Sequence, residues 1–286
     1  MLREPGPPRE KGMGSMADNM KRGAHKARTV AIINNKGGVG KTTTAKALSE
    51  GLNEKGFATL LVDMDAQANL TTWLGIEVDE TTPTIYDVFS NARLPLSEVI
   101  VGYGDERDGG DVVPGDIRMK DLEQLLSQAI SRESRLKRAL APAREVYDYI
   151  IIDCPPSLGL ATVNALVASD ELVIVTEPSM FAITGFGNVY GAVENIKFEY
   201  ELNPDLKIAG ILINKYAKGE IASKAADEQV PAVAKMGDTK VFGARPTQKK
   251  AVEDAANNRV PLFQFRPNDP SIVEFRKFVD EFLESE

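Results

Sequence analysis

The feature that most constrains this chain is a glycine-rich turn between an apolar run and a helical pattern. Residues 29–34 read TVAIIN, residues 35–40 read NKGGVG, and KTTT follows at 41–44. Glycines let the backbone approach a bound group closely, and consecutive N–H groups together with the positive end of the next helix attract an anion. The segment therefore predicts a nucleotide phosphate cradle, with Lys41 on the β- and γ-phosphates and the Thr42 hydroxyl on Mg²⁺.

The turn departs from the strict pattern G-x-x-x-x-G-K-[ST], because Asn35 stands at the position of the first glycine. A second lysine, Lys36, comes directly before the glycines. The strand before the turn, the helix after it and the Lys-Thr pair in register favour phosphate binding over a loop without a ligand. The predicted nucleotide-binding residues of the turn are Lys36, Gly37, Gly38, Val39, Gly40, Lys41, Thr42 and Thr43.

Short apolar runs alternate with helical patterns along the rest of the chain. Several runs are apolar without alternation, which is typical of parallel strands covered on both faces. The pattern predicts an α/β fold with a doubly wound, mostly parallel sheet and helices on both faces, like that of P-loop NTPases, in a single domain over residues 29–286. Strands are expected at 29–34, 58–65, 111–114, 149–154, 171–178, 207–215 and 239–243, helices at 41–55, 118–130, 158–167 and 183–198, and a loop at 102–110.

Residues 1–28 differ from the rest in composition. They carry seven Lys or Arg against three acids and show no apolar periodicity, which indicates a disordered basic arm or a cloning remnant. The single Cys154 excludes an internal disulfide and an iron–sulfur or structural zinc site within one chain. The single His25 lies in the arm, which excludes Ser–His and Cys–His catalysis from the folded region. No run approaches the ~18 apolar residues of a membrane span, so we expect a cytoplasmic protein.

Two polar residues follow apolar runs, at positions where open α/β sheets bind ligands. Asp153 comes after YIII at 149–152, and its carboxylate is expected to hold Mg²⁺ through water. Asn214 follows the run at 208–213. A GTPase would continue as N-K-x-D, whereas this chain reads NKYA. The acid that recognises guanine is missing, so ATP is the expected nucleotide.

The segment KGGVGKTTT at 36–44 resembles the deviant Walker A motif of the ParA/MinD family of ATPases. Three further segments resemble that family in order and spacing, so the similarity covers nearly all of residues 29–286. The branch that the chain resembles best is the ParA/Soj-like partition ATPases. The three segments are LLVDMDAQANLT at 60–71, IIIDCPPSLGLATVNAL at 150–166 and GILINKY at 210–216.

The resemblance implies roles for individual residues. Lys36 would cross to the nucleotide of a partner molecule and offset charge on its phosphates, as an arginine finger does elsewhere. Asp65 would orient the attacking water, Asp63 would support the metal shell, and Asn214 would face adenine. The expected catalytic residues are therefore Lys36, Lys41 and Asp65, and the expected metal residues are Thr42, Asp63 and Asp153.

A basic region lies near the C-terminus of an otherwise acidic chain. Residues 235–277 carry nine Lys or Arg against five acids, while the whole chain has a formal net charge of −8. In ParA-like proteins, basic residues of this region bind DNA without sequence preference, and a handful of phosphate contacts is enough for such binding. The candidates for DNA contact are Arg245, Lys249, Lys250, Arg276 and Lys277.

The sequence and the resemblance together imply an ATP-dependent dimer that binds non-specific DNA on the nucleoid and drives plasmid or chromosome partition with a ParB-like partner. An alternative is a related ATPase that positions another cargo or the division site, as MinD does, or that regulates cellulose synthesis. A metallocluster reductase would need two cluster-ligating cysteines, and an operator-binding repressor would need an added N-terminal helix-turn-helix. The C-terminal stretch SIVEFRKFVDEFLESE is net acidic, which favours a helix packed on the sheet over a membrane-surface helix.

Overall fold

The computed structural model describes residues 26–104, 109–179, 182–247 and 250–284. Within these ranges seven strands form one sheet. The strands are β1 (Arg28–Ile33), β2 (Thr59–Asp63), β3 (Val101–Tyr103), β4 (Gly110–Val113), β5 (Tyr149–Asp153), β6 (Glu171–Thr176) and β7 (Lys207–Ile213). The α-helices are α1 (Lys41–Glu54), α2 (Asn69–Trp73), α3 (Ile85–Ser90), α4 (Leu122–Leu125), α5 (Arg135–Leu140), α6 (Leu160–Ala168), α7 (Ala182–Glu194), α8 (Ile221–Met236), α9 (Lys250–Asn257) and α10 (Pro270–Leu283).

The sheet order is β3-β4-β2-β5-β1-β6-β7, and every neighbouring pair is parallel except β3 with β4. Strands β2, β5 and β6 are buried along their whole length, because helices cover both faces of the sheet. The predicted doubly wound, mostly parallel sheet is confirmed. Since parallel strands end at the same edge, Asp63 of β2 and Asp153 of β5 become direct register neighbours there.

Alternate residues of each strand enter two separate cores. Ala31 and Ile33 of β1 belong to the core that includes residues of α6, α7 and α8, whereas Val30 and Ile32 belong to the core with α1, α9 and α10. This division follows from the period of two along a strand. The two cores hold the sheet on both faces and leave its carboxyl edge free for a site.

Helix α10 is the predicted C-terminal helix. Asp269 caps it by accepting a hydrogen bond from the backbone N–H of Ser271, and Pro270 occupies its first turn, where a missing N–H costs nothing. Its apolar stripe is buried, which confirms that the helix packs on the domain. The buried stripe consists of Ile272, Phe275, Phe278, Val279 and Phe282. No helix in the described ranges is long and apolar enough to cross a membrane.

The structure corrects the expected loop at 102–110. Gly102 and Tyr103 belong to β3, Gly110 begins β4, and the two short strands pair antiparallel with Tyr103 opposite Gly110. Residues 105–108 of the predicted loop lie outside the described ranges. Composition favoured a loop because Tyr103 is the one large apolar residue in the sequence of 102–110. This single side chain anchors the hairpin. Its ring is buried and its hydroxyl lies 3.0 Å from that of Ser49.

Other predicted elements are shorter than expected. The helix expected at 118–130 is a 3₁₀ turn (Ile117–Asp121) followed by the single turn of α4. The strand expected at 239–243 is one isolated bridge between Val241 and Ile211. Side chains of both segments, such as Leu122 and Phe242, are buried in the two cores, and such contacts can outweigh helix or strand propensity.

The domain was predicted to start at Thr29, but the folded part begins earlier. Ala27 is buried, and Arg28 is already in β1, opposite Tyr149. The Arg28 guanidinium donates to Glu171 (2.7 Å) and lies 4.6 Å from the centre of the Phe282 ring. The last two residues of the predicted arm, Ala27 and Arg28, therefore belong to the domain. Residues 1–25 of that arm lie outside the described ranges.

Candidate functional site

The predicted phosphate cradle joins β1 to α1 at the carboxyl edge of the sheet. Gly38 and Gly40 have φ of +76° and +99°, in the left-handed region that favours glycine. At Gly40, a Cβ would lie 2.1 Å from Nδ2 of Asn214. Helix α1 begins at Lys41, and no side chain in the described part of the chain caps it. Its first N–H groups are therefore available to an anion.

The two lysines of this turn lie in different surroundings. Lys41 is buried, and its ammonium donates to the carbonyl of Lys36 (3.1 Å). Burial lowers the pKa of Lys41, while the nearby acids Asp153 and Asp65 act to raise it. Lys36 has 49% of its side chain exposed, and its ammonium forms an ion pair with Glu177. The Lys41 side chain thus lies inside the cradle, whereas the Lys36 side chain lies at its rim, half exposed.

Glu177 is a residue of this site that sequence analysis missed. It follows β6 directly, and besides Lys36 it contacts Lys215 (Nζ to Oε2, 3.9 Å). Beside it, Asn34 orders the turn: its amide donates to the carbonyl of Val175 (2.7 Å) and its oxygen accepts from the backbone N–H of Lys36 (2.9 Å). An acid directly after a buried apolar strand is the signal that identified Asp153, and the same rule could have found Glu177.

Asp153 ends β5 with a buried carboxylate. Neither of its oxygens has a hydrogen-bond partner within the described residues. Burial, followed by the nearby Asp63, raises the pKa of Asp153 well above the ordinary carboxyl value, while the Thr42 hydroxyl and the Lys41 ammonium act to lower it. A buried carboxylate without a donor is costly unless a cation accompanies it. The structure therefore brings Thr42 and Asp153 together in a setting that fits a hard divalent cation.

Asp63 is buried and bonded by several donors. Its Oδ1 accepts from the N–H of Asp65 (3.2 Å), and its Oδ2 accepts from the N–H (3.0 Å) and the hydroxyl (2.7 Å) of Thr71. Burial raises the pKa of Asp63 to about 6, against the lowering effect of the Thr71 hydrogen bonds. Strand β2 ends at Asp63, so Asp65 lies on the following turn, half-buried, and does not share a strand face with Asp63.

Asn214 is buried directly after β7. Its amide nitrogen donates to the carbonyl of Val39 (2.8 Å), and its backbone N–H donates to the carbonyl of Thr176 (2.7 Å). The predicted adenine-side residue therefore contacts the phosphate turn itself. This contact explains why Gly40 admits no side chain, and it joins the end of β7 to the turn after β1.

The basic candidates near the C-terminus differ in how many contacts their charged groups make within the domain. The Arg245 guanidinium donates to Asp227 (3.2 Å), to the carbonyls of Phe242 and Ala244, and lies 5.9 Å from the centre of the Tyr216 ring. Arg276 forms a forked ion pair with Glu54 and lies 4.4 Å from the centre of the Phe263 ring. Both arginines therefore hold parts of the domain together.

The lysine candidates are more accessible. Lys277 is half exposed, with contacts to the carbonyl of Gly243 (3.1 Å) and to Glu281 (3.7 Å). Lys250 is exposed at the start of α9, and Lys249 lies outside the described ranges. A cleft of about 760 Å³ lies along the edge of β7, away from the phosphate turn, and Lys207, Lys235 and Lys240 are among the residues that line it.

Cys154 lies next to Asp153 in an environment that makes its thiol inert. The side chain is fully buried, and burial raises the pKa of its thiol. A buried thiol of this kind behaves as a small apolar side chain and not as a nucleophile.

Comparison with known proteins identifies the family. The AAA domain family model matches residues 27–208. The chain is 42% identical over 202 residues to the chromosome partitioning protein ParA of Myxococcus xanthus, covering 70% of each. It is 37% identical over 239 residues to the sporulation initiation inhibitor protein Soj of Bacillus subtilis, covering 83% of this chain and 91% of Soj.

A solved structure with a similar fold contains a nucleotide. It is cobyrinic acid a,c-diamide synthase from Mycobacterium smegmatis with a bound ATP analogue and magnesium, at 29% identity and a TM-score of 0.76 over 89% of this chain and 93% of that one. The phosphate turn, the acids at the ends of β2 and β5 and these similarities lead to one conclusion. The chain belongs to the ParA/MinD family of ATPases.

Proposed function

We propose that this chain is a Mg²⁺-dependent ATPase that dimerises around ATP and, as the dimer, binds non-specific DNA in plasmid or chromosome partition. The observation that carries the proposal is the contrast between the two lysines of the phosphate turn. Lys41 is buried in the cradle, whereas the half-exposed Lys36 contacts Glu177 at its rim. A half-exposed lysine at the rim can exchange its contact with Glu177 for the phosphates of a nucleotide bound to another molecule.

The residues present fit an Mg²⁺ ion held with the phosphates. The Thr42 hydroxyl and the Asp153 carboxylate, whose oxygens have no hydrogen-bond partner among the described residues, would hold the ion together with phosphate oxygens. When bound, Mg²⁺ supplies positive charge that offsets the phosphates and the buried Asp153. Lys41 and the N–H groups at the start of α1 would orient the phosphates.

Asp65 would orient the attacking water. Its carboxylate is half-buried on the turn after β2, and Oδ1 accepts from the N–H of Gln67 (3.0 Å), which limits its rotation. ATP controls the cycle only if it binds the dimer more tightly than the monomer. Lys36 of each molecule would provide this difference in affinity by contacting the phosphates of the nucleotide bound to the partner. Hydrolysis would remove the contact and with it the preference for the dimer.

The proposed cargo and partners follow the similarity to ParA and Soj. Dimerisation doubles the number of lysines that a DNA backbone can contact, which favours ATP-dependent retention on the nucleoid. A ParB-like protein bound at the partition site would accelerate hydrolysis and release. Lys277 and Lys250, together with Lys249, which precedes Lys250 in the sequence, are the proposed DNA contacts, since Arg245 and Arg276 are engaged within the domain.

The decisive experiment compares Lys36→Ala with Lys137→Ala, a matched control at an exposed lysine on α5. We expect Lys36→Ala to bind ATP nearly normally but to stay monomeric in light scattering with Mg²⁺ and a non-hydrolysable ATP analogue. It should also lose retention on non-specific duplex DNA, whereas the control dimerises and is retained. Normal dimers of Lys36→Ala would refute the proposed contact with the partner. Equal DNA retention of the unmodified protein with ATP, ADP and no nucleotide would refute the nucleotide-controlled binding.

A further inference from the structure

The carboxylate of Asp63 holds both ends of the turn that carries Asp65. At the start of the turn, the N–H of Asp65 donates to Oδ1. Just beyond its end, in α2 and eight residues after Asp63, both the N–H and the hydroxyl of Thr71 donate to Oδ2. One side chain thus closes the whole segment between β2 and α2.

Thr71 extends this arrangement to the neighbouring strand. Its hydroxyl donates to Asp63 and at the same time accepts from the backbone N–H of Gly115 (2.8 Å), just after β4. Gly115 must be small here, because a Cβ would lie 2.7 Å from Cγ of Asp63. Thr71 is itself fully buried. Its hydroxyl therefore satisfies two groups that have no access to water.

The segment between these two ends has little freedom left. The carbonyl of Asp65 accepts from the N–H of Ala68 (2.9 Å), and the N–H of Met64 donates to the carbonyl of Asp153 (3.0 Å). The position of the Asp65 carboxylate relative to Asp153 is therefore set by the turn, and the turn is set by Asp63 and Thr71. A shift of about 1 Å in a catalytic group can cost about a hundredfold in rate.

We propose that Thr71 is a positioning residue for Asp65, and that Asp63 anchors the Asp65 turn instead of contributing to the metal shell. A carboxylate accepts about four hydrogen bonds, and the three donors already on Asp63 leave it little capacity for Mg²⁺. The carboxylate of Asp153, which has no such donor among the described residues, remains for the ion. The inference rests on the proposed ATP hydrolysis.

The test uses Thr71→Val, which keeps the shape and removes the hydroxyl. Thr71→Ser retains the hydroxyl, and Thr72→Val is the matched control at the adjacent, exposed threonine. We expect Thr71→Val to lower kcat about tenfold to a hundredfold. The KM for ATP and the Mg²⁺ concentration that half-saturates nucleotide binding should not change. Thr71→Ser and Thr72→Val should stay within about twofold of the unmodified protein.

Melting curves without nucleotide show whether each variant is folded, and Thr71→Ala replaces Thr71→Val if the latter is not. A folded hydroxyl-free variant with unchanged kcat would overturn the proposal. If the unmodified protein itself fails to hydrolyse ATP, the proposed function fails instead. Asp63→Asn provides a second readout: an anchor leaves the half-saturating Mg²⁺ concentration for nucleotide binding within about twofold, and a ligand raises it tenfold or more.

Discussion

The carboxyl edge of the central strands and the C-terminal basic region are both rich in charge, but they use it in opposite ways. At the strand ends, Asp153 is buried with no donor among the described residues, and beside it the half-exposed Lys36 forms one ion pair, with Glu177 at the rim. In the C-terminal region, Arg245 and Arg276 are bonded to acids, carbonyls and aromatic rings of their own domain. The unpartnered carboxylate of Asp153 marks a place that a ligand can complete, whereas the paired arginines hold the fold together.

The physical reason is the different cost of the two arrangements. A buried carboxylate without compensation costs several kcal/mol, about as much as a large fraction of a domain's net stability. An exposed ion pair contributes about 0–1 kcal/mol. A functional role would account for the buried carboxylate of Asp153. Small gains in stability are enough to account for the ion pairs of the arginines. Three predictions test this distinction, and a fourth tests the backbone of the turn before α2. They are ordered by the size of the expected effect.

Asp153→Asn should separate function from stability. We expect Mg²⁺-dependent ATP hydrolysis to fall about a thousandfold, or roughly 4 kcal/mol, because a ligand and its negative charge are lost. The nucleotide-free protein should melt at the same or a higher temperature, because the unpaired buried charge is gone. Steady-state hydrolysis and calorimetry measure the two effects. A marked fall in melting temperature would mean that the carboxylate has a structural partner after all.

The pH dependence of stability should report the buried acids of the same edge. The pKa of Asp63 is about 6 in the folded state against 3.8 normally, so the unfolded chain ionises first as the pH rises. This group therefore stabilises the fold fully below about pH 4, and its contribution is lost as the pH rises to about 6. We expect the nucleotide-free protein to lose more melting temperature between pH 4 and 6 than Asp63→Asn does. Parallel curves for the two proteins would contradict the raised pKa.

Two neighbouring basic residues on α10 should fail in different ways. Arg276→Ala should lower the free energy of unfolding by about 1–2 kcal/mol, because it removes the ion pair with Glu54 and the contact with the Phe263 ring. Lys277→Ala should leave stability nearly unchanged and reduce the salt dependence of DNA retention by a slope of about 1. Chemical unfolding and retention at several salt concentrations distinguish them. The reverse pattern would place the DNA contact on the arginine.

Ala68→Gly should give the smallest effect, and it is a gain. Ala68 has a φ of 49° at the start of α2, a left-handed conformation that costs a residue with a Cβ about 1–2 kcal/mol. Glycine relieves this cost but loses more entropy on folding, so we expect a net stabilisation of about 0.5–1 kcal/mol in chemical unfolding. Exposed Thr72→Gly, one turn further within α2, should destabilise the protein instead.

The parts of the fold that were predicted correctly are those with strong local signals. The buried strands β2, β5 and β6 are continuous apolar runs, and the glycines before Lys41 predict the start of α1. Strand β4 matches the strand expected at 111–114, but β3 and its pairing with β4 were missed, because β3 is anchored by the contact of Tyr103 with Ser49 on α1. A contact between residues 54 positions apart leaves no trace in the local pattern.

The site divides in the same way. The sequence by itself determined the phosphate turn, the acid at the end of β5 and the sheet edge where they meet, because each depends on residue type within one short segment. Only the tertiary structure decided that Glu177 pairs with Lys36, that Thr71 and Gly115 complete the environment of Asp63, and that Arg245 and Arg276 are engaged within the domain. Those roles depend on which segments meet in space, and the parallel order of the strands brings together residues that are far apart in the chain.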